Sequence, residues 1–202
     1  ITRRLARYDA DGRRLEGESL PGEIVKLESG AHTDRATLIG QLSETNAANG
    51  SILEREANAG EWREVIGNLL RPTDSVAADF DGDGDDDIVG NEFGHYLGQL
   101  SLFERLEDGR FRKHTLRDEP GSVASQLIAA EDSALPHLLV LNAQAREDLT
   151  FYRNRGGLSF EPVRLLQKPS SFGYTQLHRV DLDGDGRPEY VTVNGDNVDL
   201  PV

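Results

Sequence analysis

The sequence predicts an all-β fold built from β-propeller blades, which are four-stranded antiparallel repeats of about 50 residues, arranged as a partial propeller. Three observations predict it. Two acidic, glycine-containing segments share one pattern, short apolar and aromatic stretches recur at a regular spacing, and each stretch ends at a turn followed by an aromatic residue. Short β-branched and aromatic runs bounded by Gly, Asp and Asn are typical of strands and hairpins.

The period is clearest in the predicted third strand of each repeat. Segments 51–55 (SILER), 101–105 (SLFER) and 150–154 (TFYRN) align with one another. Each is followed by a glycine-containing turn and an aromatic residue, which is Trp62, Phe111 or Phe160. Because these aromatic residues share one repeat position, we expect them to pack in the core or between blades. Segments 38–41, 88–91 and 139–142 match in the same way.

The period divides the chain into blades. It predicts a partial blade at 1–20, blades at about 21–70, 71–119 and 120–169, and a partial blade at 170–202. In the clearest copy the strands are expected at roughly 74–79, 87–92, 99–107 and 110–117.

Three short segments read as tight turns. Segment 107–109 (EDG) reads as the turn between the third and fourth strands of that copy, and 9–12 (DADG) as a similar hairpin turn. The Asn49–Gly50 pair is interpreted as a two-residue hairpin turn, because Asn-Gly is the preferred sequence there.

These residues are expected to form an open arc, completed by remaining blades or by a partner chain. The chain begins with Ile1 and has no Met, which suggests a mature or partial segment. An isolated arc would expose strand edges and apolar faces, so we expect it to oligomerise or aggregate. A cooperative, monodisperse monomer would instead favour a closed ring of four blades.

The two acidic segments, 79–87 (DFDGDGDDD) and 181–189 (DLDGDGRPE), predict two calcium sites. Ca²⁺ binds six to eight hard oxygen ligands, and alternating carboxylates on a flexible loop supply them. The predicted ligands are the carboxylates of Asp79, Asp81, Asp83, Asp87, Asp181, Asp183, Asp185 and Glu189, with the main-chain carbonyls of Asp85 and Arg187. The corresponding segments 28–34 and 131–137 lack alternating carboxylates, so calcium is expected in two repeats only.

An EF-hand shares the first six positions of this loop but does not fit the rest. An EF-hand needs a bidentate Glu at position 12 and a helix on each side. Position 12 is Gly90 in the first loop and Thr192 in the second. The flanking residues are short β-branched runs, which favour strands.

Segment 79–89 resembles the FG-GAP/VCBS repeat of bacterial extracytoplasmic proteins and integrin-like propellers. Segments 91–101 and 181–197 are similar to bacterial VCBS-repeat proteins, some of which carry a c-type cytochrome domain. The resemblance implies a full propeller of about seven or eight blades with calcium loops joining the first two strands of a blade. It does not imply one ligand, because the fold hosts lectins, adhesion modules and polysaccharide lyases.

Composition restricts the partners and the location. The formal charge of −14 argues against nucleic acid and anionic membrane surfaces. The chain has no cysteine, and no apolar run approaches the length of about 18 residues that membrane insertion needs. Weak calcium loops fill at the millimolar Ca²⁺ found outside the cytoplasm, so an extracytoplasmic protein is expected, whether periplasmic, at the cell surface or secreted.

The predicted function is a calcium-stabilised, non-catalytic scaffold that binds a protein or carbohydrate ligand. The alternatives are blades of a polysaccharide lyase or lectin, and a docking module for a c-type cytochrome domain. The five histidines show no metal or triad spacing, although His95 lies in a loop that could carry function. Exposed aromatic residues on the loops opposite the calcium would favour sugar binding, and a basic catalytic cluster would favour a lyase.

Overall fold

The computed structural model describes residues 3–6, 8–15, 17–20, 22–40, 47–57, 60–130, 134–144 and 146–195. These residues form sixteen strands and no helix, which confirms the all-β prediction. The strands are β1 (Arg3–Leu5), β2 (Glu18–Leu20), β3 (Ile24–Ser29), β4 (Thr33–Leu38), β5 (Ala48–Glu56), β6 (Arg63–Leu70), β7 (Pro72–Ala78), β8 (Asp87–Glu92), β9 (Gln99–Arg105), β10 (Phe111–Arg117), β11 (Ser122–Ile128), β12 (His137–Asn142), β13 (Glu147–Asn154), β14 (Phe160–Lys168), β15 (Tyr174–Val180) and β16 (Glu189–Asn194).

The strands form antiparallel sheets in which each strand pairs with the next along the chain. The first sheet contains β3 to β6, the second β7 to β10, and the third β11 to β14. β1 pairs with β2 and β15 pairs with β16 as two-stranded sheets. Four-stranded antiparallel units, as the repeat predicted, are therefore confirmed.

A β-bulge recurs at the same place in four of these sheets. The register between the first and second strands shifts just after Ile24, Pro72, Ser122 and Tyr174, positions about 50 residues apart. A bulge bends its strand and increases the local twist. Its repetition shows that the four units share backbone geometry as well as sequence pattern.

The core lies between neighbouring sheets. Leu138 and Val140 of β12 pack with Val76 and Val89 of the second sheet, while Leu139 and Leu141 face Leu177 and Tyr174 of β15. Alternate side chains of a strand point to opposite faces, so β12 is buried on both faces and reads as a continuous apolar run. Burial of one such side chain contributes roughly 1.5–3 kcal/mol.

Polar contacts connect the first strands of successive sheets. Lys26 of β3 donates to the carbonyl of Ser75 in β7 at 2.6 Å and forms an ion pair with Asp74 at 2.7 Å. Thr73 of β7 donates to the carbonyl of Val123 in β11 at 2.8 Å. β11 in turn contacts β15. The first strand of each sheet therefore lies beside the first strand of the next.

Two of the predicted turns are confirmed and one is wrong. Gly109 N donates to the Leu106 carbonyl at 2.7 Å, and Gly12 N donates to the Asp9 carbonyl at 3.0 Å. Asn49 and Gly50 instead lie within β5. Glycine is required there because a Cβ atom on Gly50 would overlap the ring of Pro72, so a close approach between sheets overrides the local turn signal.

Candidate metal centres

The two acidic loops occupy equivalent places in their sheets. The first joins β7 to β8 and the second joins β15 to β16, so each connects the first and second strands. In the first loop, Asp79, Asp81 and Asp83 offer carboxylate oxygens that lie within 4.8 Å of one another. Asp181, Asp183 and Asp185 do the same in the second loop.

Glycines let each loop curl around its first carboxylate. Gly82 N and Gly84 N donate to the two oxygens of Asp79 at 2.6 and 3.1 Å. Both glycines have positive φ angles, 91° and 96°, which residues other than glycine adopt only with strain. In the second loop Gly184 N and Gly186 N donate to Asp181 at 2.7 and 3.0 Å.

The third and fifth positions are fixed in the same way. Asp83 N donates to Asp81 Oδ1 at 3.1 Å, and Asp85 N donates to Asp83 Oδ1 at 3.0 Å. The matching bonds in the second loop run from the main-chain nitrogens of Asp185 and Arg187 at 3.1 and 2.7 Å. Each accepting carboxylate oxygen keeps a second lone pair, so these bonds leave the side chains able to bind a cation.

The ninth residue closes each loop onto its second residue. Asp87 Oδ2 accepts from Phe80 N at 3.2 Å, and Glu189 Oε2 accepts from Leu182 N at 2.7 Å. Asp87 Oδ1 also accepts from Arg105 N at 2.8 Å. The clusters of three carboxylates do not include Asp87 or Glu189, so a ligand role for these two residues stays a prediction.

The protonation of the first loop reflects its crowding. Burial raises the pKa of Asp87, which is 1% exposed, to about 6. Burial also raises the pKa of Asp81, and the charges of Asp83 and Asp79 raise it further. Burial and then the charge of Asp83 raise the pKa of Asp85. A bound cation would oppose these shifts, because it favours the ionised form of every neighbouring carboxylate.

Position seven differs between the loops. Asp85 occupies it in the first loop, and its Oδ1 is buried and accepts no hydrogen bond from any described residue. Arg187 occupies it in the second. The first loop therefore carries six carboxylates, and the second carries four carboxylates and one cation. Each loop has four predicted carboxylate ligands, but the first has two further acids nearby and the second has a nearby arginine. The more negative surroundings attract a cation more strongly, so we expect the first loop to bind calcium more tightly.

The residues present fit a calcium ion. All donors are oxygens, the ligand type that Ca²⁺ prefers, and Ca–O distances of 2.3–2.6 Å place opposite ligands roughly 5 Å apart. Three carboxylate oxygens that lie within 4.8 Å of one another are compatible with one ion between them. The Oδ1 atom of Asp85 is a further acceptor in the first loop, although the Asp85 carboxylate is not part of the cluster of three.

The other two equivalent segments differ from these loops. In segment 28–34 the chain makes a tight turn in which Gly30 N donates to the Thr33 carbonyl at 2.9 Å. Residues 131–133 of segment 131–137 lie outside the described residues. The absence of calcium from both segments remains a prediction.

The residue at position two of each loop is buried in one copy and exposed in the other, which the sequence pattern did not indicate. Phe80 is 0% exposed and packs between the second and third sheets, whereas Leu182 is 67% exposed. The only sequence difference that could have indicated this is the residue type, which is Phe in the first loop and Leu in the second. The contact of Arg105 with the first loop was also missed, because it depends on the pairing of β8 with β9.

An exposed aromatic loop lies at the opposite end of the second sheet. It joins β8 to β9 and carries Tyr96 and Leu97, which are 74% and 61% exposed. The His95 ring meets the Tyr96 ring edge to face at 4.2 Å. Gly94 and Gly98 pack backbone against backbone, with no room for a side chain, and this close packing fixes the loop.

The aromatic residues at the shared repeat position pack as predicted. Each is partly buried and packs against a hydrophobic cluster, which holds for Trp62, Phe111 and Phe160. Arg55 lies over the Trp62 ring at 4.4 Å, and Arg105 lies over the Phe111 ring at 4.5 Å. Phe160 meets the Phe80 ring edge to face at 5.8 Å.

The described residues thus define an all-β chain of packed four-stranded sheets that carries two carboxylate loops of one geometry. They contain no helical segment of membrane-spanning length and hydrophobicity. No family model, no curated protein and no solved structure matches the chain.

Proposed function

We propose that the chain is part of an extracytoplasmic, calcium-stabilised β-propeller of the FG-GAP/VCBS type that serves as a non-catalytic scaffold for a protein or carbohydrate ligand. The observation that carries this proposal is the agreement between the two loops. The five hydrogen bonds from main-chain nitrogens to carboxylates inside the first loop all recur inside the second. Two loops of different sequence that converge on one ring of oxygens are best explained by a common cation.

The packing of the sheets supports the propeller. In a propeller the first strand of each blade lies nearest the central axis, and blades pack face to face in chain order. β3, β7, β11 and β15 contact one another in that order. The cores between the sheets follow the same order along the chain.

Calcium would act structurally at these loops. When bound, it would neutralise carboxylates that otherwise repel one another by up to about 4 kcal/mol per close pair. Asp79, Asp81 and Asp83 would hold it in the first loop, and Asp181, Asp183 and Asp185 in the second. Many protein oxygens around each ion leave little room for a substrate.

Three buried acids outside the loops pair with cations, which supports a structural role for these three side chains. Asp34 pairs with Arg55 at 3.0 Å, Glu92 with Lys113 at 2.8 Å, and Asp148 with Arg117 at 3.2 Å. Such pairs hold strands and sheets together. The lyase alternative lacks a comparable supporting observation, and cytochrome docking rests on the family resemblance alone.

One surface feature is compatible with a carbohydrate ligand. Tyr96 is largely exposed on a loop fixed by close glycine packing, at the end of the sheet opposite the calcium loop. Flat, pre-positioned aromatic rings suit stacking against apolar sugar faces. Screening a glycan array with the wild-type chain and with Tyr96→Ala would test this, and equal binding by both would exclude the loop as the sugar site.

Calcium binding is tested by calorimetric titration of the chelator-treated chain. We expect heat of binding at up to millimolar CaCl₂ and two bound ions for each chain, with the weaker one lost in Asp183→Ala. The matched control is Asp108→Ala, an exposed acid in a hairpin turn that lies outside both loops. If the wild-type chain takes up no calcium at millimolar concentration, the proposal is wrong.

A further inference from the structure

The first loop is bonded to a neighbouring sheet through Arg105, the last residue of β9. Its main-chain nitrogen donates to Asp87 Oδ1 at 2.8 Å, and its Nε donates to the Asp86 carbonyl at 3.0 Å. Its Nη2 donates to both carboxylate oxygens of Glu54 in the first sheet, at 3.0 and 2.9 Å. A single residue therefore contacts the end of the metal loop and the adjacent sheet.

Glu54 is held firmly at the other end of this contact. It is buried in β5, and Arg35 donates to its Oε1 from Nε at 3.1 Å and from Nη2 at 2.8 Å. The Arg105 guanidinium also lies over the Phe111 ring at 4.5 Å. Charge-assisted hydrogen bonds of this kind are strong and geometrically specific, so a shift of the loop end would weaken the bonds between Arg105 and Glu54.

The opposite side of the loop is bonded to the third sheet. Asn154 Nδ2 donates to the Phe80 carbonyl at 2.8 Å. Its amide orientation is fixed, because its Oδ1 accepts from Gly156 N at 2.9 Å. The Phe80 ring is buried and meets the Phe160 ring edge to face at 5.8 Å. The first loop is therefore bonded to the third sheet directly and to the first sheet through Arg105.

The second loop has a different setting. In the part of the chain that the structure describes, the side-chain hydrogen bonds of segment 181–189 stay within that segment. Leu182, the counterpart of Phe80, is largely exposed. Two loops of nearly identical geometry thus differ in what surrounds them.

We propose that Arg105 is a positioning residue that couples cation occupancy of the first loop to the packing of the first sheet against the second, while the second loop acts locally. This inference rests on the proposed function, because it takes the loop to bind calcium. Coupling between two sites is reciprocal. If calcium strengthens the Arg105–Glu54 contact, then that contact must strengthen calcium binding by the same factor.

The direction in which one substitution changes the calcium affinity distinguishes this coupling from a simple electrostatic effect. Arg105 carries a positive charge close to the proposed ion, so its removal would tighten calcium binding if charge alone mattered. Coupling through position predicts the reverse, because Arg105→Met releases the Asp86 carbonyl and frees the loop end.

The test uses the Asp183→Ala background, in which the second loop loses a ligand and the first can be titrated alone. CaCl₂ is titrated into this variant, into the same variant with Arg105→Met, and into the same variant with Arg112→Met. Arg112 is the matched control, since it is an exposed arginine of the same hairpin that pairs with Glu104 at 3.2 Å. We expect Arg105→Met to raise the Kd for calcium at least fivefold. We expect Arg112→Met to change it less than twofold.

Hydrogen exchange supplies a second readout in the first sheet, whose equivalent segment 28–34 lacks alternating carboxylates. In the Asp183→Ala background, calcium should slow amide exchange at residues 52–56 of β5, and Arg105→Met should abolish this protection. If Arg105→Met does not fold, Arg105→Lys replaces it, because lysine keeps the charge but cannot bond the Asp86 carbonyl and Glu54 together. It should raise the Kd at least threefold.

Lys26→Met tests whether any damage between the first and second sheets would have the same effect. It removes the ion pair with Asp74 at 2.7 Å, which joins these sheets away from the loop. We expect it to leave the calcium Kd within twofold. An equal effect of Lys26→Met and Arg105→Met, or unchanged or tighter binding by Arg105→Met, would overturn the coupling.

Failure of the two proposals can be told apart. Absence of calcium uptake by the wild-type chain would remove the proposed function and the coupling with it. Uptake by the Asp183→Ala variant that survives Arg105→Met undiminished, with protection of residues 52–56 intact, would leave the function and remove only the coupling.

Discussion

Replacing Phe80 by alanine should show that the first acidic loop contributes more to global stability than the second. Phe80 is 0% exposed and packs in the core between the second and third sheets. A buried Phe→Ala change typically costs about 3–5 kcal/mol, through lost burial and the cavity left behind. The matched control is Leu182→Ala at the same loop position, where the side chain is 67% exposed, so that the expected cost is about 0.5 kcal/mol.

The assay is urea denaturation of both variants and the wild type in saturating calcium, followed by the fluorescence of Trp62. For a domain with a total stability of about 5–15 kcal/mol, Phe80→Ala should lower the urea midpoint strongly. It should also lower the melting temperature by roughly 6–20 °C. Equal losses of stability in the two variants would refute the reasoning. They would show that burial of the side chain at position two of the loop does not determine how much it stabilises the protein.

The remaining predictions concern the ion, an ion pair and a glycine. Removal of calcium by EGTA should lower the melting temperature, and Asp81→Ala and Asp183→Ala should each lower it in calcium, since one ion at a hundredfold excess over Kd contributes about 2.7 kcal/mol. Identical melting curves with and without chelator would contradict this. Lys26→Met should cost about 3 kcal/mol in urea denaturation, because it leaves a buried carboxylate without its cation; a cost below 1 kcal/mol would mean that the pair contributes little. Gly50→Ala should lower the free energy of unfolding by about 2 kcal/mol, because the added methyl group overlaps a proline ring. Gly67→Ala should lower it by less than half as much in the same measurement, because its methyl group meets only the end of a flexible glutamate side chain.

The convergence of carboxylates in the two acidic loops could be predicted because it depends on residues close in sequence. Asp79, Asp81 and Asp83 are two residues apart, and Gly82 and Gly84 permit the curl that brings their oxygens together. The repeat of four strands could also be predicted, because its strands and turns depend on residues that are close in sequence. The prediction for Asn49–Gly50 failed because the packing of Pro72 against β5 requires a glycine there, and that contact is not visible in a local pattern.

Contacts between sheets could not be predicted in the same way. Arg105 and Glu54 are about 50 residues apart, and nothing in either residue indicates its partner before the sheets are placed side by side. Their contact depends on the pairing of β8 with β9 and on the face that the second sheet turns toward β5. The open choice between a protein and a carbohydrate ligand has a similar cause, because ligand preference depends on which loops of different sheets lie together.

The pairing of each strand with its sequence neighbour has a consequence for how the chain folds. Every hydrogen-bond ladder closes over a short length of chain, so each sheet can begin to form by itself without the cost of closing a long loop. Burial is different, because β12 covers its two faces only when the sheets before and after it are in place. Folding should therefore spread from sheet to sheet along the chain, as in repeat proteins with nearest-neighbour stabilisation. An interior sheet caught before its neighbours dock would expose β12 and be the species most prone to aggregate.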